Sequence, residues 1–129
     1  MCIVILMSYE KEKAEGLSWL RKSVGQGYVP AMNGVAWILA TDPAPAVRNG
    51  TAAVELALQV CEKDGWKNAA YINTLAAAYA EVDKWDEAIA TQQRAIEQLA
   101  DEDDLMKARV RERLQQYQQH EKTRGSGVR

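Results

Sequence analysis

The chain has 129 residues, of which 47% are hydrophobic and 26% are charged, which indicates one globular domain and excludes a disordered or fibrous chain. Alanine occupies 20 positions, phenylalanine is absent and proline occurs three times, a bias that favours closely packed helices over a sheet. Sixteen basic residues against 18 acidic residues give a net charge of −2, which argues against bulk electrostatic attraction to nucleic acid or an anionic membrane.

The chain opens with an apolar segment, residues 1–7, that has neither a basic lead nor a small-residue cleavage site. It is therefore not expected to be a signal peptide, and it is too short to span a membrane, which takes about 20 residues. We expect Ile3–Met7 to cover the end of a hydrophobic core, or alternatively to be the remnant of an upstream helix of a longer protein. Cys2 and Cys61 have no metal-ligand or CxxC spacing, so a reducing, cytoplasmic location is predicted.

Apolar residues recur at helical spacing, and cap residues mark the ends of the predicted helices. Pro30 suits the first turn of one helix, Asn68 is a good N-cap for another, and Gly65 is a suitable C-terminal stop. The stretch at 41–45 contains two prolines, which forbid a continuous helix. Six helices are predicted, over 10–26, 30–40, 51–63, 68–82, 85–99 and 103–121. The sixth begins in a run of four acidic residues at 101–104.

The sequence also contains a degenerate internal repeat. A tiny residue followed by a branched apolar residue occurs at Gly16-Leu17, Ala53-Val54 and Ala88-Ile89, and these pairs start 37 and 35 residues apart. Such spacing is typical of stacked helix-pair repeats, in which a tiny residue lets the two helices of a hairpin approach closely.

The segment at 68–99 resembles a tetratricopeptide repeat (TPR). Its first helix carries the large, small and aromatic set of that family as Leu75, Ala76 and Tyr79, and its second helix carries the aromatic-Asp-Glu-Ala set at 85–88. The departures from the family pattern are Ile72, Asp83, Gln92 and Ala100, where Trp, Gly, an aromatic residue and Pro are usual.

Two further stretches carry weaker versions of this pattern. The preceding copy has Val35, Ala36 and Leu39 on one helix, followed by an extended proline-rich turn. The first hairpin half resembles the related Sel-one-like repeat through the residues at 19–22 and through Gly27.

This resemblance implies an all-α fold, with three antiparallel helix hairpins stacked as a right-handed TPR-like solenoid and a C-terminal capping helix. The expected single domain spans residues 1–122 of the sequence. Its hairpins cover about 10–40, the 51–82 region and 68–99, its cap covers 103–121, and a disordered tail covers 123–129.

In such a stack the first helix of each hairpin lines an inner groove. The predicted peptide-binding groove residues are Asn33, Trp37, Asn73, Ala77, Ala80 and Glu81. We expect the asparagines to hold a ligand backbone, the alanines to leave room for it, and Glu81 to select basic groups. Trp37 is either an apolar anchor for the ligand or a packing residue against the first hairpin.

Charge is distributed unevenly near the end of the chain. Residues 81–104 hold nine acidic and two basic residues, a sum of −7, and residues 105–129 hold seven basic and two acidic residues, a sum of +5. The basic residues at 107, 109, 111 and 113 alternate, so they are expected to spread around their helix. We interpret them as a solvated face with some salt bridges to the acidic run, with a phosphate-binding surface as the alternative.

The sequence shows no catalytic pattern. His120 is the single histidine and belongs to no Ser-His-Asp arrangement, and neither a glycine-rich phosphate loop nor a calcium loop occurs. We therefore expect no enzyme activity, no cofactor and no metal. The predicted function is a cytoplasmic protein–protein interaction module that binds a peptide or helix of another protein, with neither nucleic acid nor membrane as partner. The alternative is a structural module that self-assembles into a homo-oligomer through its terminal helices.

Overall fold

A computed structural model of the chain describes residues 28–99 and 104–124. These residues form five helices and no strand, which confirms the prediction of an all-α chain for the part that is described. The helices are α1 (Val29–Thr41), α2 (Gly50–Asp64), α3 (Ala69–Glu81), α4 (Trp85–Gln98) and α5 (Asp104–Gln118). The predicted helix at 10–26, the apolar segment at 3–7 and the residues from 125 onward lie outside the described residues.

The helix ends follow from their cap residues. The side-chain oxygen of Asn49 accepts a hydrogen bond from the backbone N–H of Ala52 (3.1 Å), and that of Asn68 accepts one from Ala70 (2.9 Å). Each asparagine thereby satisfies an N–H group that has no partner inside its helix. Gly65 ends α2 with a φ of +73°, in the left-handed region that glycine adopts readily.

The proline-rich connection between α1 and α2 is ordered by polar contacts. The carboxylate of Asp42 accepts a hydrogen bond from the backbone N–H of Ala44 (2.8 Å), and the backbone N–H of Asn49 donates to the carbonyl of Leu39 (2.8 Å). The guanidinium of Arg48 donates to the Asp42 carbonyl at 2.7 Å. The prolines therefore end α1, and these hydrogen bonds hold the connection in one conformation.

Helix α3 is the central helix of the described chain. It contacts α1, α2 and α4, and nine of its 13 residues are buried. Small residues allow this close approach: a Cβ atom added to Gly50 of α2 would lie 2.6 Å from the side chain of Val82, directly after α3. The absence of a side chain at Gly50 thus allows the start of α2 to lie close to the end of α3.

Helix α5 is attached to α3 and α4 through its apolar stripe. Val110 belongs to the same buried cluster as Leu75 of α3, and Tyr117 packs against Ala80 of α3 and Ala88 of α4. Both Val110 and Tyr117 are buried, and their separation of seven positions places them on the same face of the helix. The remaining positions of α5 are mostly exposed or half-buried.

The segment after α5 turns back onto the helices. Thr123 is buried, and its hydroxyl is hydrogen-bonded to the phenol oxygen of Tyr117 at 2.9 Å. Arg124 binds the carboxylate of Glu81 at the end of α3, at 2.8 Å. The predicted disordered tail is therefore corrected at its first two residues, because contacts with α3 and α5 hold Thr123 and Arg124 in place.

Candidate functional site

The six predicted groove residues fall into two groups by their exposure. Asn73, Ala77 and Ala80 are buried, with 5%, 2% and 0% of their surface exposed, whereas Asn33, Trp37 and Glu81 are half-buried. The three buried residues all belong to α3, which its neighbours surround. Their side chains fill the interfaces between helices and are not open to a ligand in this structure, which corrects the expectation that they line an open groove.

The burial of Asn73 has a specific cause. Its side-chain oxygen accepts a hydrogen bond from Nε2 of Gln92 (3.0 Å), and the same Nε2 donates to the backbone carbonyl of Val110 (3.0 Å). These two hydrogen bonds link α3, α4 and α5 through the amide of Gln92. Gln92 has no exposed surface, so the link lies inside the core. Asn73 therefore accepts a hydrogen bond from the protein itself, in place of the ligand contact that we expected.

The two alanines are buried because larger neighbours occupy the space beside them. Ala77 belongs to the cluster that contains Val35 and Leu39 of α1. Ala80 belongs to the cluster that contains Tyr117 of α5. The room that small residues leave on α3 is thus filled by its own flanking helices.

Trp37 lies where α1 approaches α5. The guanidinium of Arg113 lies over its indole ring, 4.9 Å from the ring centre, in a cation–π contact. Asn33 is one helical turn earlier on α1, and its side-chain oxygen is buried with no hydrogen-bond partner among the described residues. These two predicted groove residues therefore flank the junction between α1 and α5.

Glu81 is the centre of an ion-pair cluster. Its Oε1 is 3.2 Å from Nε of Arg48, and its Oε2 is 2.8 Å from Nη1 of Arg124. Only 13% of the glutamate side chain is exposed. Both carboxylate oxygens are occupied by arginines of this chain, which corrects the expectation that Glu81 selects basic groups of a ligand.

A cavity of about 320 Å³ lies between α5 and the segment 122–124. Its lining residues are Arg109, Glu112, Arg113, Gln116, Lys122, Thr123 and Arg124. Four of them are basic and one is acidic, so the lining carries a net charge of +3. The four residues from α5 recur at intervals of three and four positions, which places them on one face of the helix.

The four basic side chains of this cavity differ in their partners. Lys122 and Arg124 bind the carboxylates of Asp83 (3.4 Å) and Glu81 (2.8 Å), so they hold the returning segment against the end of α3. Neither arginine of the α5 face, at 109 and 113, has a carboxylate partner among the described residues. The cavity therefore contains two guanidinium groups that form no ion pair with any residue in 28–99 or 104–124.

Only part of this cavity could be predicted from the sequence. Arg109 and Arg113 are four positions apart and hence share a face, although the alternating bases around them predicted an even spread. Lys122 and Arg124 gave no local signal, because their place at the cavity depends on the chain turning back after α5.

Two other chemically interesting side chains are held in structural contacts. The ring of His120 stacks on that of Trp85, with ring centres 4.9 Å apart and an angle of 2° between the planes. Burial, together with the nearby carboxylate of Asp64, raises the pKa of the Cys61 thiol to about 12. At neutral pH this thiol is protonated and is therefore a poor nucleophile and a poor metal ligand.

Within residues 28–99 and 104–124, no three His, Cys, Asp or Glu side chains converge on a position that would hold a metal ion. None of the helices in the described part of the chain has the length and apolar character needed to cross a membrane.

No protein-family model matches this chain, and neither a curated protein nor a solved structure gives a match. The likeness to TPR and Sel-one-like repeats accordingly rests on the residue patterns quoted above and stays a prediction.

Proposed function

We propose that this chain is a TPR-type protein-interaction module without catalytic activity, in which helix hairpins stack as a right-handed solenoid and α5 caps the stack. The repeat spacing of 37 and 35 residues supports this arrangement. The contact between the alternate helices α1 and α3 supports it as well. So does the burial of Leu75, Ala76 and Ala88, which carry the TPR pattern.

The ligand surface in this proposal is the junction of α1 and α5. The observation that carries it is the half-buried ring of Trp37, which lies under the guanidinium of Arg113, a residue that lines the basic cavity. An aromatic anchor beside several convergent hydrogen-bond donors is the chemistry by which protein surfaces bind peptide segments. The proposed partner is a peptide or helix of another cytoplasmic protein, and the proposal includes no cofactor, nucleic acid or membrane.

Affinity capture from the native cell lysate, followed by mass spectrometry, tests this function. Trp37→Ala removes the proposed anchor, and loss of a buried aromatic anchor weakens binding by about 2 kcal/mol or more. We therefore expect the wild-type chain to capture a partner that the Trp37→Ala variant does not. Arg111→Gln is the matched control, because Arg111 is exposed and lies outside the cavity.

Circular dichroism melting of each variant shows whether it remains folded during capture. A partner that the wild type and a folded Trp37→Ala variant retain equally would contradict the proposed surface. A partner lost only by Trp37→Ala, and retained by Arg111→Gln, would support it.

Self-assembly is the second candidate, and one observation favours it. The large hydrophobic side chains exposed among the described residues are Tyr28, before α1, and Leu105, in the first turn of α5. A contact between copies through the terminal helices would cover such side chains. A dimer that forms with rising concentration in light scattering, and that Leu105→Ser abolishes, would support this candidate. A monomer over the whole concentration range would reject it.

A further inference from the structure

The basic side chains of the cavity converge on one space from two directions. Arg109 and Arg113 extend from α5, while Lys122 and Arg124 lie in the segment that crosses the helix. The basic residues elsewhere on α5 do not line the cavity, and Arg111 among them is exposed. A nucleic acid backbone requires a charged groove that follows the strand, usually with stacking aromatic rings. Convergence on a single cavity instead suits a compact anion.

Several of the lining side chains are already held in position. The guanidinium of Arg113 is held over the ring of Trp37, and that of Arg124 is held by Glu81. Thr123 is fixed by the phenol of Tyr117. Because these contacts order the side chains before a ligand arrives, binding loses less conformational entropy than it would with mobile side chains.

We infer that this cavity binds the phosphoryl group of a phosphorylated side chain on the partner peptide. A phosphoryl group carries a charge of about −1.5 to −2 near neutral pH and three strong acceptor oxygens. The planar guanidinium groups of Arg109 and Arg113 match those oxygens with paired N–H donors. Lys122 and Arg124 are already paired with carboxylates of the chain, so Arg109 and Arg113 supply the two positive charges that a dianion would balance.

The size of the cavity agrees with this ligand. A volume of about 320 Å³ accommodates a phosphoryl group with the side chain that carries it, and is too small for a helix. This inference rests on the proposed peptide-binding function in one respect, namely that a partner peptide carries the phosphoryl group. The ability of the cavity to bind phosphate depends on its own residues.

Glu112 is the one acidic residue among the described residues that line the cavity. Its carboxylate repels a phosphoryl group and therefore opposes binding. Glu112→Gln removes this repulsion while it leaves the size of the side chain unchanged. We expect this variant to bind phosphate severalfold more tightly than the wild type, an effect that a damaged or unfolded variant would not produce.

Calorimetric titration of the full chain at low ionic strength tests the site. The probes are inorganic phosphate and a short synthetic peptide of glycine, alanine and serine, with one serine either phosphorylated or not. Loss of a hydrogen bond to a charged group predicts about tenfold weaker binding, or more, for Arg109→Gln and Arg113→Gln. Arg111→Gln removes the same charge from the same helix outside the cavity, so its binding is expected to equal that of the wild type.

The outcomes separate this inference from the proposed function. Equal weakening by Arg111→Gln and Arg113→Gln would show a general charge effect and overturn the site. Binding of the phosphorylated peptide no tighter than inorganic phosphate would overturn the peptide as the source. If the wild type captures a protein partner but binds neither phosphate probe, the inference fails and the interaction function stands. If phosphate binds as expected and no partner depends on Trp37, the proposed function fails and the anion site stands.

Discussion

The side-chain amide of Gln92 connects three helices. Its Nε2 donates to the side chain of Asn73 on α3 and to the carbonyl of Val110 on α5, each at 3.0 Å. Its Oε1 is buried without a partner among the described residues, so the two donated hydrogen bonds have to offset the desolvation of the whole amide. These directional bonds fix α5 relative to α3 and α4 more narrowly than apolar contacts alone.

Gln92→Ala is expected to lower the free energy of unfolding by about 1–3 kcal/mol, because it leaves the Asn73 oxygen buried without a donor and removes the second hydrogen bond to the Val110 carbonyl. Urea denaturation at neutral pH measures this change. Gln93→Ala is the matched control: Gln93 is exposed on the same helix, and its loss is expected to change stability by less than about 0.5 kcal/mol. Equal effects of the two substitutions would contradict the structural role of the buried amide.

Tyr117 provides a pH-dependent test of the same region. Burial raises the pKa of its phenol above the ordinary value of 10, although the hydrogen bond with Thr123 and the charge of Arg113 act in the opposite direction. Above pH 10 the unfolded phenol loses its proton while the folded phenol keeps it, so the folded state binds more protons and its stability falls as the pH rises.

Tyr117→Phe is expected to be less stable than the wild type by about 0.5–1.5 kcal/mol at pH 7, since it loses one hydrogen bond. This difference should shrink as the pH is raised from 9 to 11. Thr123→Val removes the same hydrogen bond and retains the phenol, so it should keep the alkaline loss of stability. Urea denaturation across this pH range measures the free energy of unfolding of both variants. If the difference in stability between the wild type and Tyr117→Phe stays constant from pH 9 to 11, the buried phenol is not the cause of the alkaline loss of stability.

Helix boundaries were predictable wherever a signal within one turn sets them. The ends predicted for α1 to α4 lie within one residue of those observed, because caps such as Asn68 and Gly65 act on adjacent backbone groups. The end of α5 was predicted at 121 and lies at 118. His120 adopts a φ of +59° there and stacks on Trp85 of α4, a tertiary contact that local sequence does not reveal.

Two glycines in different backbone conformations give opposite predictions for the same substitution. Gly34 lies within α1 and a Cβ atom there would meet nothing within 4 Å, so Gly34→Ala should stabilise the protein by about 0.5–1 kcal/mol. Gly65 has a φ of +73° at the end of α2, and Gly65→Ala should destabilise by about 1–2 kcal/mol. Thermal or urea unfolding measures both, and a change of the same sign at the two positions would contradict the helix boundaries.

At the scale of the whole molecule, contacts between distant segments were the least predictable feature. Two ion pairs join the segment after α5 to the end of α3, Arg124 with Glu81 and Lys122 with Asp83, whereas the predicted salt bridges from the α5 bases to the acidic run 101–104 involve positions 101–103, which lie outside the described residues. The place of Asn73 was not predictable, because its hydrogen-bond partner is 19 residues away. The cavity was not predictable either, since it requires the segment after α5 to fold back.

The ion-pair cluster around Glu81 joins the connection before α2, the end of α3 and the segment after α5. Glu81→Gln leaves Arg48 and Arg124 without a carboxylate, and we expect a loss of about 1–2 kcal/mol in the free energy of unfolding that diminishes at high salt. Asp83→Asn is the control, because the Asp83 side chain is 68% exposed and its pair with Lys122 should contribute less than about 1 kcal/mol. Similar losses for both variants in urea denaturation would contradict a cluster that ties these segments together.

The central claim is that the junction of α1 and α5 binds another protein, and site-specific photo-crosslinking in the native cell tests it most directly. A photoreactive residue replaces Gln116, which lines the cavity, or Gln93, which is exposed on α4. We expect a crosslinked adduct with a partner protein from position 116 and none from position 93. Adducts from position 93 alone, or adducts from position 116 that contain only a second copy of this chain, would contradict the claim.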